Sequence, residues 1–129
     1  MFSGCISLQQ VPELFVTTLA ESCYEGMFSG CTGLVSEIDG NEDSSSSDSS
    51  TSDSDRYNNL LPVTTLASSC YANMFEGCRS LTQAPALPAT TLAESCYANM
   101  FSGSGLQKAP KLSAKTLVEG CYAYMFKDC

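Results

Sequence analysis

A chain of 129 residues with no His, no Trp, eight Cys and a formal charge of −8 is poorly equipped for catalysis or for nucleic acid. Without His, a Ser or Cys nucleophile lacks its commonest base, and with half of the fourteen acids in one segment the remainder carries seven acids and five bases, with no basic patch for phosphates. No apolar run is long enough to cross a bilayer, and no basic n-region precedes an apolar stretch, so no targeting segment is read here.

In chain order, a bare MFSGC is followed by LQQVPELF from Leu8 and then by TTLAESCYEGMFSGC from Thr17. The last string returns as TTLASSCYANMFEGC from Thr64, TTLAESCYANMFSGS from Thr90 and KTLVEGCYAYMFKDC from Lys115. Met1 to Met27 and Met74 to Met100 are each 26 residues apart, Met100 to Met125 is 25, and Met27 to Met74 is 47, one repeat plus a 21-residue insertion. A tandem period of this size predicts a solenoid in which each unit buries its apolar face on its neighbours. Residues 1–129 therefore form one repeat domain, with units starting near 1, 27, 74 and 100 and a partial unit at 125–129.

Within a unit, Leu92 and Ala93, Cys96 and Tyr97, Met100 and Phe101 fall at i, i+1, i+4, i+5, i+8 and i+9, which places two rows on one helical face. Thr91 with Glu94, Thr18 with Glu21 and Thr116 with Glu119 have capping-box spacing, and Gly103 supplies a stop. The spacing predicts helices over 18–29, 65–76, 91–102 and 116–127. The other half of the unit reads LTQAPALP from Leu81 and LQKAPKLS from Leu106, a short extended segment with Leu81, Ala84 and Leu87 inward and Pro limiting any ladder. Gln10, Gln83 and Lys108, then Glu13, Ala86 and Lys111, vary between units and are expected to face solvent. Gln10, Glu13, Gln83, Lys108 and Lys111 are the ligand-binding candidates.

The insertion at 37–57 holds Glu37, Asp39, Glu42, Asp43, Asp48, Asp53 and Asp55 against Arg56 alone. Such a composition predicts disorder. Calcium is the sharper alternative, with Asp39, Asn41, Asp43, Asp53 and Asp55 as hard oxygen ligands. The residue twelve positions on in EF-hand counting is Ser50 rather than Glu, and no other cofactor is expected.

Met74, Phe75, Gly77, Cys78, Leu81, Ala84, Leu87 and Pro88 spell MF-x-G-C-x-x-L, a small apolar residue and Leu-Pro, and Met27, Phe28, Gly30, Cys31 and Leu34 repeat the first half. This string resembles the leucine-rich repeats of bacterial surface proteins of the BspA-like type. The resemblance implies an α/β leucine-rich-repeat solenoid with one short helix and one short extended or β segment per unit of about 26 residues. It also implies a place at the cell surface or in secretion, and adhesion.

The cysteines occupy two sites per unit. An even count permits a disulfide framework, but Ser104 replaces one member without a second loss, and small buried structural thiols are the preferred account for Cys23, Cys31, Cys70, Cys78, Cys96 and Cys121. The expected function is a noncatalytic binding module for a protein or glycan surface. A structural spacer and a calcium-responsive module are the alternatives. Because MFSGC and MFKDC present the same phase of the unit, end-to-end self-association is a further expectation.

Overall fold

The computed structural model describes residues 2–10, 14, 17–35 and 60–129. There the chain stacks coil on coil, and each coil has two arms. The turn arms are 20–31, 67–78, 93–104 and 118–129, and extended arms such as 79–92 and 105–117 connect them.

Every fourth residue of a turn arm has a left-handed backbone. In the second arm these are Ser69, Asn73 and Gly77, with φ of 53°, 58° and 73°, and in the third Ser95, Asn99 and Gly103, with 54°, 55° and 69°. Each is the third residue of a turn closed by an N–H three positions on. Cys96 N–H donates to Ala93 O at 3.2 Å around Ser95, and Met100 N–H to Tyr97 O at 3.1 Å around Asn99. A positive φ at that place is what a type II turn requires, and Gly, Asn and Ser tolerate it best.

The alternate amides leave the coil. Ser69, Tyr71, Asn73, Phe75 and Gly77 donate to Glu94, Cys96, Ala98, Met100 and Ser102 O in the next arm at 2.8–3.0 Å. Ser22, Tyr24, Gly26, Phe28 and Gly30 do the same to the second arm, and Ser95, Tyr97, Asn99, Phe101 and Gly103 to the fourth. From Ser69 to Cys78 every amide thus has a backbone carbonyl, either three residues back or one coil onward.

This architecture overturns the α/β leucine-rich-repeat expectation. Among the described residues there is no α-helix over 18–29, 65–76, 91–102 or 116–127, and the extended arms meet only as single parallel pairs, Thr65 with Thr91, Gln83 with Lys108 and Leu87 with Leu112. The apolar pairs repeat every four residues, whereas at 3.6 residues per turn a helical face drifts by about 40° in that interval. A left-handed residue at each fourth position is also incompatible with a right-handed helix. No helix exists for the Thr and Glu boxes to cap: Thr91 pairs with Thr65, and Glu94 O accepts from Ser69.

Residues at one place in successive coils form columns, and the columns are the core. Phe28, Phe75 and Phe101 are fully buried, with ring centroids 5.5 and 5.6 Å apart along the stack. Tyr71 and Tyr97 stack at 5.9 Å, and Met27, Met74, Met100 and Met125 fill a third column. In the extended arm Leu81, Pro85, Leu87 and Ala89 turn inward while Gln83, Ala86 and Thr90 turn out. Pro85 and Pro88 have no N–H, which keeps the pairing to isolated residues. A Cβ on Gly105 would run into the Arg79 carbonyl oxygen, so the coil that is one residue short closes only with Gly there.

Candidate functional site

The extended arms carry the sequence-derived candidates. Gln83 and Lys108 are both exposed and lie side by side in adjacent coils as a parallel pair. Gln107 N–H donates to Thr82 O at 3.0 Å, which fixes their register. Lys111 is exposed at the place Ala86 holds one coil earlier, and Gln10 is exposed in the first coil. Glu13 lies outside the described residues, as do Asp39, Asn41, Asp43, Asp53 and Asp55 and the whole acidic insertion.

Separating the arms also separates the charges. Among the described residues, the extended arms hold Arg79, Lys108, Lys111 and Lys115, all exposed, and no acid, whereas the turn arms hold Glu21, Glu25, Glu76, Glu94, Glu119 and Asp128 with Lys127 as their one base. Sequence reasoning counted a nearly neutral repeat and passed over Arg79 and Lys115. The signal was present in the positions of the bases between the repeated strings, but it needed the two arms to be told apart.

The thiols are built into the stack. Cys31, Cys70, Cys78, Cys96 and Cys121 are buried, and all eight cysteines are free. Cys23 departs from the expected burial and is exposed. Cys31 Sγ donates to Phe2 O at 2.9 Å, and Cys78 Sγ to Phe28 O at 3.1 Å, so each closes a contact with the preceding coil. Burial pushes the Cys70 and Cys78 thiols up to about 12, against the coil-to-coil and turn amides that pull the other way. Burial raises Cys31 and Cys96 as well. A thiol held protonated is a poor nucleophile and a poor metal ligand.

Ser104 stands in the Cys78 column and keeps the polar role. Its Oγ lies 3.7 Å from Cys129 Sγ and accepts from Leu106 N–H at 3.4 Å. Burial likewise raises Tyr71 and Tyr97, and the Tyr71 hydroxyl is buried with no partner. Among the described residues no three of His, Cys, Asp and Glu converge as a metal set, and no helix is long and apolar enough to cross a membrane.

No protein-family model, no curated protein and no solved structure significantly matches this chain.

Proposed function

We propose that the chain is a noncatalytic binding module whose extended arms recognise an acidic protein or glycan surface. The observation that carries this reading is the run Arg79, Lys108, Lys111 and Lys115, exposed on consecutive extended arms with no acid among them. These cations stand on a backbone already held in the stack by coil-to-coil hydrogen bonds, so little loop order has to be gained on contact. Gln83 lies beside Lys108 at the same height of the stack. The buried thiols and phenols, Cys70, Cys78 and Tyr71 among them, are spent in the columns, where burial keeps them protonated. Placement at a cell surface or in secretion belongs to the same proposal and rests on the repeat string alone.

An array of neutral and acidic glycans, probed with the whole chain, tests the reading. Binding to the acidic members, weakened by added salt and by Lys108→Ala with Lys111→Ala, is the expected result. A spacer would show no retention on any member. Retention that neither salt nor the double alanine variant alters would remove the extended arms from the function.

A further inference from the structure

Resting on the reading that the extended arms bind an acidic surface, we propose that their ligand is a linear glycan with an anionic group on every second sugar, laid along the arm 105–117 with Arg79 at its near end. Lys108 and Lys111 lie within a stretch held at both ends by the parallel pairs Gln83 with Lys108 and Leu87 with Leu112. An extended backbone rises about 3.3 Å per residue, which sets these two cations roughly 10 Å apart. The Arg79 carbonyl oxygen lies where a Cβ on Gly105 would be, so Arg79 is level with Gly105, three residues before Lys108. Lys115 follows Lys111 by four residues. The four cations therefore form one line, with steps of three, three and four residues.

The outward face of this line is a property of the repeat. Gln83, Ala86 and Thr90 hold the places of Lys108, Lys111 and Lys115 in the coil before, and all three are exposed although a further coil is stacked there. They are also neutral, so the charge runs along one arm and not from coil to coil. The arm 79–92 shows Arg79, Ser80, Gln83, Ala86, Thr90 and Thr91 to solvent, while Leu81, Leu87 and Leu92 are buried. A protein partner draws most of its binding energy from large aromatic or apolar anchors, and none stands outward on that arm. An extended acidic peptide would present its charges on one face every second residue, about 7 Å apart, which falls short of the cation spacing. A glycan of alternating charged and neutral sugars fits both features. Two rings of an extended chain cover about one step of the line, and their hydroxyls suit the exposed Gln107 and Thr116 on the same arm.

Calorimetric titration of the whole chain at about 0.15 M salt supplies the test. The probes are hyaluronan oligosaccharides, with a carboxylate on every second sugar, polygalacturonate and polyglutamate, with one on every unit, and neutral dextran. Hyaluronan should bind more tightly than either dense polyanion, and dextran should not bind. Lys108→Ala and Lys111→Ala should each weaken hyaluronan binding by about two- to fivefold. Lys111→Ala with Ala109→Lys keeps the net charge but crowds the two cations, and should not restore the loss. These positions are all exposed, so circular dichroism should not change. Polyglutamate binding as tightly as hyaluronan, or full recovery in the relocated-lysine variant, overturns the glycan proposal while leaving a binder of acidic surfaces in place. Binding to none of the polyanions overturns that underlying reading as well.

Discussion

Phe75 and Phe126 occupy the same place in the repeat, yet one is fully buried and the other 37% exposed. The same contrast separates Leu92, at 8%, from Leu117, at 65%. What differs is only the coil that follows. Burial in this molecule is conferred by a neighbour rather than by a residue's own coil, so the inner coils and the last coil should respond differently to one and the same substitution.

The largest test of that difference is a pair of alanine changes. Phe75→Ala should cost about 3–5 kcal/mol in urea unfolding, since it opens a cavity between two stacked rings, whereas Phe126→Ala should cost less than half as much. Equal losses would mean that the last coil is covered in solution. Glycines give the next step down. Gly105→Ala should cost about 1–3 kcal/mol by driving the Arg79 carbonyl away. Gly77→Ala, with Gly30 Cα 3.7 Å from the new Cβ, has the room but meets a φ of 73°, and should cost about 1–2 kcal/mol from backbone strain alone.

A smaller effect with the opposite sign is expected at the end coil. Tyr124 has a φ of 54° in the column where inner coils place Asn73 and Asn99. Tyr124→Asn should stabilise by roughly 0.5–1 kcal/mol, as a rise in the urea midpoint at constant slope, because Asn enters the left-handed region more readily.

The thiols sharpen the comparison without mutation. The ordinary value is 9.0 and burial takes Cys70 and Cys78 to about 12. Below pH 9 the folded and unfolded chains are both protonated at these sites, and pH has no leverage through them. Above it only the unfolded chain loses the protons, so stability falls as pH rises from about 9 toward 12. Melting temperatures across that range should decline, and a flat profile would mean that the inner thiols are reached by water. With a thiol reagent at neutral pH, the exposed Cys5, Cys23 and Cys129 should react first, and the five buried cysteines only on unfolding.

Much of this was legible beforehand. The period, the apolar columns, the burial of five of the six inner-site thiols and the outward placement of Gln10, Gln83, Lys108 and Lys111 all follow from comparing one unit with the next. The backbone did not, because two rows spaced by four fit a helix over a single short segment. Ser95, Asn99 and Gly103 held the distinguishing information: three residues suited to a positive φ, spaced by four, where a helix would want Ala, Glu or Lys. The grouping of bases on the extended arms was hidden for the same reason, since a helix-based unit drew its boundary in the wrong place.

The one-way ladder of the turn arms has an electrical consequence. Each junction between full arms sets five amides in line, N–H toward the later coil, and peptide dipoles of about 3.5 D add along the stack. An α-helix accumulates its moment residue by residue along the chain. Here the moment accumulates coil by coil across it, with the positive end on the fourth arm. The turn side of the molecule is thus a small permanent electret, whose sign is set by the single direction in which the arms donate.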